Sequence, residues 1–567
     1  MANTKIPNEL LELGAKAFGT SSIMIGDTTT GTIDAANYNV GLGVDVFAAL
    51  TTGDDNTAVG YLALNDNTTG VRNVAIGSTS LDVNTTGGDN VAVGANALGA
   101  NTTASNNTGV GSAALMANTT GAYNTGLGNS AMITNTTGAS NVAVGYQSLY
   151  ANTTASNNTA VGKGALKDNT TGTSNTALGK EALENNTTAD NNTGIGTGAL
   201  YTNTTGANNT AVGTSALVAN TTGSYNDAFG ESALASNTTG ANNSALGRYS
   251  LNTNTTGDYN TAVGSLALRY ATTADNNTAV GREALTANTT GIDNTAMGSG
   301  ALTANTTASN NTAIGRIALL TNTTGAQNVG VGLSAMRLNT TGSGNTGLGT
   351  YALYSNTTAS NNTAVGYYAL YAGTTGHSNV GVGYAAGDSI TTGHSNVCIG
   401  YATDISAVGG ANQIVIGNNI SGGENSQVTI GQSGNVIQNE FDTDAAWTRT
   451  SDIRKKRNIN EDNLGLSFIN NLKPVTFQWK PSNEFPEEWD DYNEENQMNL
   501  DAVIHGMIAQ DVKEALDEEG VDTFGGWKER KDGSQVLSRE MFITPLINAV
   551  KELSAKVEVL EDKLNNK

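Results

Sequence analysis

The sequence predicts a mostly β protein: a parallel β-solenoid of 24 coils of 17 residues, followed by a small α+β domain that ends in a coiled-coil helix. The first observation is an asparagine that recurs every 17 residues from Asn39 to Asn396, in 22 copies. The second is a glycine four places later, which keeps the same phase from Gly26 to Gly417 in 24 copies. The third is composition, because Asn, Thr and Gly fill the repeat and all three are poor in helix interiors.

One repeat, residues 56–72, predicts the path of a coil with two strand-like pieces and two turns. Thr57 and Val59 alternate with Ala58, which is the period-two pattern of a short strand. We expect the two outer residues to point into the core and the small residue between them to point outward. Gly60 ends the strand, and its retention in every coil predicts a positive φ or a backbone packed too closely for a Cβ.

The tetrad Asn-Thr-Thr-Gly closes most repeats and predicts ladders of polar side chains along the stack. Stacked coils place identical residues about 4.8 Å apart, the spacing of paired strands. Asn67, Asn84 and Asn101 should therefore form a ladder of side-chain amides, and the threonines a second ladder. The ladder asparagine is missing at Ala271 and Gly373.

The core of a single coil is thin, with two or three aliphatic residues and an alanine. A leucine or methionine recurs in it from Leu64 to Leu370. At about 0.8 kcal/mol per buried CH₂, one coil alone does not offset its ordering entropy. Stability is therefore expected from neighbouring coils, and also from other chains beside the stack.

The strand motif has a counterpart in a known class of repeats. Asn73-Val-Ala-Ile-Gly77 and Asn141-Val-Ala-Val-Gly145 resemble the head repeats of trimeric bacterial adhesins. This resemblance covers about residues 22–431 and implies parallel β-rolls with three chains side by side. The period departs from the usual shorter adhesin coil, although the last step, from Gly417 to Gly431, is 14 residues.

Composition limits the partners and the chemistry. The net charge of −23 argues against nucleic acid as a partner. No apolar segment is long enough to predict membrane insertion, and residues 1–20 contain no apolar signal-peptide core. The single Cys398 allows no intrachain disulfide and is expected at the outward alanine position of its coil. His377 and His394 should stack in adjacent coils, but neither a metal nor a cofactor is predicted.

Four regions are expected along the chain. Residues 1–21 form an N-terminal cap or a segment for attachment to a larger particle, with one short helix over residues 7–13. Residues 22–434 form the repeat shaft, residues 435–450 a linker, and residues 451–567 a separate domain.

The end of the last domain carries an apolar heptad pattern with spacings of 4, 3, 4, 3 and 4. The pattern is formed by Leu546, Val550, Leu553, Val557, Leu560 and Leu564. A coiled-coil seam between three chains suits it best, and the alternative is a helix packed on its own domain.

Four motifs in this domain resemble the endosialidase-type intramolecular chaperones, the autoproteolytic C-terminal domains of phage tail fibres and tailspikes. They are Thr450-Ser-Asp-Ile-Arg-Lys-Lys-Arg-Asn-Ile459, Leu472-Lys-Pro-Val-Thr-Phe-Gln-Trp479, His505-Gly-Met-Ile-Ala-Gln-Asp-Val512 and Leu546-Ile-Asn-Ala-Val-Lys-Glu-Leu553. The resemblance implies a domain that trimerises, guides folding and then cuts itself off between Thr450 and Ser451, with Lys456 as the partner of Ser451.

The residue chemistry agrees with that implication. A serine hydroxyl is a weak nucleophile until a base takes its proton, and a lysine is such a base only when it is neutral. Arg454, Lys455 and Arg457 surround Lys456 with like charge, which disfavours its protonated form. A nucleic-acid or targeting patch is the alternative interpretation of this basic run. The sequence leaves open whether an ester forms before water enters.

The sequence therefore predicts a homotrimeric phage tail fibre, assembled in the host cytoplasm and carried on the virion. One end would join other tail or baseplate proteins, and the fibre would bind a host receptor such as a glycan or an outer-membrane component. A glycan-degrading tailspike stays an alternative, although carboxylates such as Glu181 and Glu184 are scattered rather than paired across a groove. A bacterial surface adhesin is a second alternative, for which an export signal and an anchor are expected.

Overall fold

The structure is a computed structural model that describes residues 15–18, 22–25, 35–440, 453–487, 489, 492, 494–495 and 500–566. The contacts divide the chain into two units, Met1–Arg449 and Thr450–Lys567. The helix predicted over residues 7–13 lies outside the described residues. In the part of the chain that is described, no helix is long and apolar enough to cross a membrane.

The first unit is a β-solenoid in which each coil contributes one strand to a single 27-stranded sheet. Strand β1, Ala15–Phe18, pairs antiparallel with β2, Ser22–Ile25. From β2 to β26 every pair is parallel and relates the same positions of neighbouring coils, as Ala58 pairs with Ala75. The last strand, β27, turns back antiparallel to β26 and begins the segment for which the sequence predicts a linker.

The strands from β3 to β27 have the following bounds: Val40–Leu42, Thr57–Val59, Val74–Ile76, Val91–Val93, Thr108–Val110, Thr125–Leu127, Val142–Val144, Thr159–Val161, Thr176–Leu178, Thr193–Ile195, Thr210–Val212, Asp227–Phe229, Ser244–Leu246, Thr261–Val263, Thr278–Val280, Thr295–Met297, Thr312–Ile314, Val329–Val331, Thr346–Leu348, Thr363–Val365, Val380–Val382, Val397–Tyr401, Ile414–Asn418, Gln427–Gln432 and Asn435–Glu440.

Most coils contain one strand of three residues, so the prediction of two strand-like pieces in each coil is wrong. The second half of the coil is turn instead. Leu62 and Leu64 explain this, because their φ angles of 56° and 50° lie in the left-handed region, which interrupts an extended strand. The solenoid class itself, with about 24 coils, is confirmed.

The predicted facing of the strand is reversed. Ala58 is fully buried, whereas Thr57 and Val59 on either side of it are only half-buried. The interior of the coil is narrow at the middle position, where a Cβ added at Gly109 would lie 3.3–3.4 Å from Ala114 and Leu98. Most coils carry alanine or glycine there, and the larger Cys398 and Val415 occur near the C-terminal end of the shaft. Alanine and leucine therefore fill the core, and the β-branched residues face outward.

Cys398 occupies the same middle position and is buried, so its predicted outward placement is also wrong. Burial raises the pKa of its thiol to about 12, with the Asp404 and Asp388 carboxylates acting in the same direction. The thiol therefore stays protonated at neutral pH and acts as a small apolar residue of the core.

The predicted amide ladder is confirmed. Asn84 donates from Nδ2 to Oδ1 of Asn67 at 2.9 Å, and Asn101 donates in the same way to Asn84 at 2.8 Å. Each asparagine also donates to the backbone carbonyl three residues later. The threonines form a second ladder, although the hydroxyl of Thr68 bonds to the backbone oxygen of Thr85 rather than to its side chain.

A further ladder runs through the asparagines that precede the strands. Oδ1 of Asn56 accepts from both the backbone N–H and Nδ2 of Asn73, at 3.0 and 3.1 Å. Asn73 also donates to the carbonyl of Gly87 at 2.9 Å. These side chains are fully buried, which explains the strict recurrence of asparagine, because a buried amide without partners destabilises the fold.

The two gaps in the first ladder leave their neighbours incompletely bonded. Oδ1 of Asn254 and Oδ1 of Asn356 are buried without a hydrogen-bond partner. They stand one coil before Ala271 and Gly373, where the next amide is missing.

The coil glycine satisfies both reasons given for its retention. Gly60 has a φ of 134°, and a Cβ added to it would lie 2.5 Å from the carbonyl oxygen of Gly77 in the next coil. Stacking at strand spacing therefore excludes a side chain at this corner.

The second unit is small and of α+β type. Helix α1 spans Leu466–Asn471, α2 spans Ala509–Glu518 and α3 spans Ile543–Asn565. Strands β28, Pro474–Phe477, and β29, Ile504–Met507, form one antiparallel pair, and β30, Trp527–Glu529, and β31, Gln535–Leu537, form another. Short 3₁₀ turns cover Ile453–Lys455, Ser482–Glu484 and Arg539–Phe542.

The core of this unit lies between α1, α2 and the turn that precedes α3. Phe468 from α1, Val512 and Leu516 from α2, and Phe542 are buried against one another. Phe542 stacks on Phe468 with ring centroids 6.2 Å apart.

Filling a ladder gap should stabilise the shaft. In Ala271→Asn the new Nδ2 would donate to the unpaired Oδ1 of Asn254, and the new Oδ1 would accept from Asn288. Because an unsatisfied buried acceptor costs about 1–3 kcal/mol, we expect a higher melting temperature in a calorimetric scan at fixed rate. The matched control is Ala267→Asn, which places the same amide in the apolar core of the same coil and should lower the melting temperature. Equal effects of the two variants would contradict the ladder argument.

Gly213→Val should destabilise the shaft more than Leu217→Ala. Truncating the buried leucine costs about 2–5 kcal/mol. Valine at position 213 would have to adopt a φ of 138° and would place its Cβ 2.5 Å from the carbonyl oxygen of Gly230, so two coils would have to separate. Thermal melts of both variants measure the order. Gly198→Ala is the control, because its φ of 66° is also positive but the space around it is open.

Candidate functional site

The predicted cleavage site lies at the start of the second unit. Thr450 and Ser451 fall outside the described residues, so the structure does not test the predicted pairing of Ser451 with Lys456. Lys456 is described: its backbone N–H donates to the carbonyl of Ile453 at 3.1 Å, and its side chain is exposed. Along the chain, the turn Ile453–Lys455 lies between the predicted cleavage site and Lys456, the candidate base.

The segment around Lys456 lies on the surface of this unit. Ile453 and Ile459, on either side of the basic run, are 71% and 62% exposed. Arg454 and Arg457 are exposed as well. Apolar side chains are therefore exposed on both sides of the basic run.

The segment that follows the site is fastened to the beginning of α3. Nδ2 of Asn548 donates to the carbonyls of Asp462 and Leu464 at 2.9 and 3.2 Å. The backbone N–H of Leu466 donates to Oε2 of Glu552 at 3.2 Å, which places a carboxylate at the N-terminus of α1. Residues 462–466 and the first turns of α3 are therefore held together.

Gly465 allows this close contact. A Cβ at Gly465 would overlap the carboxylate of Glu552. A larger residue here would displace the Glu552 carboxylate from the N-terminus of α1.

The remainder of α3 carries the predicted heptad seam on an exposed face. In the helix, Pro545 and Ala549 are the buried residues, and they lie in its first two turns. The six seam residues are 45–76% exposed, so the alternative of a seam packed on its own domain is wrong for this chain. They are Leu546, Val550, Leu553, Val557, Leu560 and Leu564.

The two middle motifs build the scaffold. Residues 474–477 and 504–507 form the β28–β29 pair, in which Thr476 stands opposite His505. Nζ of Lys473 pairs with Oε2 of Glu514 on α2 at 2.9 Å, an exposed pair that contributes little to stability. These motifs position α2 and the core.

The shaft residues considered as metal ligands or catalytic carboxylates contact one another or lysines of the shaft. His377 and His394 stack as predicted, with ring centroids 5.1 Å apart and planes within 9°. No group of three or more potential metal ligands occurs among the described residues. Glu181 pairs with Lys180 at 3.2 Å and Glu184 with Lys167 at 3.4 Å, so each carboxylate faces a lysine.

One feature of the shaft was missed by the sequence reasoning. The residue before each coil glycine is apolar in all 23 coils from Leu42 to Ile416, and none of these residues is fully buried. We call this set the apolar row. The most exposed members are Leu246, Leu42, Leu178 and Leu348, at 46–52%. The recurrence of apolar residues at one position was visible in the sequence, but the reversed facing of the strand assigned them to the core.

A comparison with protein-family models finds a family that is similar to part of the second unit. Residues 451–521 match the model of the family described as chaperone of endosialidase, a peptidase family designated S74. No curated protein and no solved structure matches the chain. The C-terminal unit is therefore similar to the endosialidase chaperones, and this similarity supports an intramolecular chaperone domain and implies its autoproteolytic activity.

Proposed function

We propose that this protein is a homotrimeric tail fibre of a virion, folded by its C-terminal unit, which then cuts itself off before Ser451. The observation that carries the proposal is the match to an endosialidase chaperone at residues 451–521, directly behind a uniform solenoid. In this proposal the shaft joins other tail proteins at one end and binds a receptor on the host surface.

The apolar row supports side-by-side assembly of identical chains. One apolar side chain per coil, repeated about every 4.8 Å along the stack, needs a cover with the same repeat. Another copy of this chain has that repeat by construction. Covering the row in a trimer would remove its exposed apolar area from water at roughly 25 cal/mol per Å².

The exposed seam of α3 supports three chains meeting at the C-terminal end as well. Its apolar residues follow the spacing at which helices supercoil around one another. The seam is short, so its main role in the proposal is alignment. It would set the three C-termini level before the coils stack.

Alignment matters because the repeat is nearly uniform. Sliding one chain against two others by 17 residues preserves almost every local contact, and register is weakly specified in such patterns. Chains that collapse without alignment would be trapped in slipped forms or would aggregate. A C-terminal trimer would fix the register, and coils would add from there towards the N-terminus.

The proposed chemistry uses Ser451 and Lys456. The Ser451 hydroxyl attacks the carbonyl carbon of Thr450 and gives its proton to the neutral amine of Lys456. The Thr450–Ser451 C–N bond breaks, and the proton passes from the Lys456 ammonium to the departing Ser451 nitrogen. Water then opens the ester, leaving a Thr450 carboxylate and a free Ser451 hydroxyl.

Assembly would activate this step. Lys456 is exposed to water in the single chain. Covering the segment between chains would remove that water and add the nearby arginines of other copies, and both effects favour the neutral amine. Cleavage would then report that a trimer has formed.

Ser451→Ala should yield one uncleaved product of full-length mass, because no hydroxyl remains to attack Thr450. Lys456→Ala should behave in the same way, since the base is lost. Lys455→Ala is the matched control, one residue away in the same basic run, and should be processed normally. Intact mass together with native mass of the purified products measures cleavage and oligomeric state. Normal processing of Ser451→Ala would refute the assignment of the nucleophile.

Charged residues in the α3 seam should prevent cleavage before Ser451, although the seam is about 100 residues further along the chain. Leu553→Asp combined with Leu560→Asp places like charges between three helices, so we expect uncleaved chains that are monomeric or aggregated. The control combines Ala555→Asp with Val559→Asp, which adds the same charge to exposed positions outside the seam. The control should be cleaved to the extent of the unchanged protein. Full cleavage of the seam variant would show that processing does not depend on this helix.

A further inference from the structure

Seven tyrosines form one continuous aromatic surface over four consecutive coils near the C-terminal end of the shaft. We call it the tyrosine face. Tyr354 stacks on Tyr371 at a ring-centroid distance of 5.2 Å. A second stack runs from Tyr367 to Tyr384 and on to Tyr401, at 5.6 and 5.1 Å. The tyrosine face consists of Tyr351, Tyr354, Tyr367, Tyr368, Tyr371, Tyr384 and Tyr401.

The second stack is open to solvent. Tyr367, Tyr384 and Tyr401 are 44%, 50% and 53% exposed. Nearly parallel rings at these centroid distances are offset from one another, so each leaves part of its face uncovered. The surface therefore combines apolar ring faces with phenolic hydroxyl groups.

The solenoid itself does not require these rings. The position of Tyr367, directly after the coil glycine, holds Ser78, Lys163, Glu231 and Arg248 in other coils of the same fold. Yet 7 of the 18 tyrosines of the chain lie within residues 351–401. Coils with and without an aromatic residue at this position have the same fold. This comparison indicates that the tyrosines are there to contact a partner rather than to stabilise the coil.

The tyrosine face is uncharged. A tyrosine hydroxyl is neutral at pH 7, and a hydrogen bond with Tyr367 raises the pKa of Tyr368 further above its ordinary value. Arg337 donates from Nη1 to the hydroxyl of Tyr354 at 2.9 Å, at the N-terminal edge of the face. The chain as a whole carries a net charge of −23, which repels anionic partners.

We propose that the tyrosine face binds a neutral oligosaccharide, whose pyranose rings stack on Tyr367, Tyr384 and Tyr401. A pyranose ring has a face of C–H groups that fits an aromatic ring, and hydroxyls at its edge that bond to phenol oxygens. The run of three stacked rings along the shaft suits an extended chain of sugars rather than a single sugar. This inference rests on the proposed attachment role of the shaft and names the chemistry of its receptor.

The test uses the processed protein, purified after expression of the full-length chain. Its binding is measured on a printed array of hexose and N-acetylhexosamine oligosaccharides of several rings. The variant Tyr367→Ala, Tyr384→Ala, Tyr401→Ala should lose binding about tenfold or more. The corresponding triple Tyr→Phe variant keeps the ring faces and should lose less. The matched control replaces Tyr123, Tyr225 and Tyr259 by alanine, three exposed tyrosines at 62–65% that lie on other coils of the shaft.

The outcomes separate this inference from the proposed function. Native mass and cleavage are measured on every variant. If processing and trimer formation are normal and no neutral oligosaccharide is retained, or only anionic glycans are retained, the inference is wrong while the proposed fibre stands. If the triple alanine variant loses its trimer, the face is a contact between copies of the chain, which also overturns it. Equal binding by the triple alanine variant and the control refutes the assignment of the surface.

Discussion

The backbone pairing between neighbouring coils is the interaction on which the rest of the shaft depends. Each three-residue strand bonds to the same residues one coil further on, as the N–H of Thr57 donates to the carbonyl of Asn73 at 2.8 Å. This pairing fixes the coil spacing at strand spacing and brings every residue into contact with its own repeat. A buried asparagine is tolerated only because the next coil presents a matching amide at that distance.

The same spacing decides which residues face inward. The coil is narrow, so alanine, leucine and methionine fill it, and the larger apolar residues of the strand are left outside. The outcome is a shaft with two apolar regions, a closed core and an open row, and in the proposed trimer the row would be covered by neighbouring copies. In the proposed assembly such a chain would gain from alignment with its copies before it folds, which is the role proposed for the C-terminal unit.

Much of this fold could be predicted because a fixed period is a strong signal. The coil number, the glycine corner with its positive φ at Gly60 and the amide ladder from Asn67 follow from recurrence and strand spacing alone. The facing of Ala58 did not follow, because alternation gives a period of two but not its phase. Phase depends on the interior width of the coil, which is set by the left-handed turn at Leu62 and Leu64.

At the candidate site, the order of the motifs located Ser451 and Lys456. Their approach to one another is not encoded in a spacing of five residues, since it depends on the tertiary fold.

The amide ladder also has a direction. Within a run, each side-chain amide donates to the asparagine of the preceding coil and accepts from that of the following coil, so the dipoles of the run add, and each hydrogen bond polarises the next. The positions without an amide divide the ladder into a run of 12 asparagines, from Asn67 to Asn254, and a run of 5, from Asn288 to Asn356. The shaft therefore contains two runs of aligned amide dipoles, separated by the coil in which Ala271 takes the place of the asparagine. Each run ends in a buried oxygen without a hydrogen-bond donor, at Asn254 and at Asn356, so the chain of aligned amides is interrupted at these two coils while the asparagine ladder before the strands continues past them.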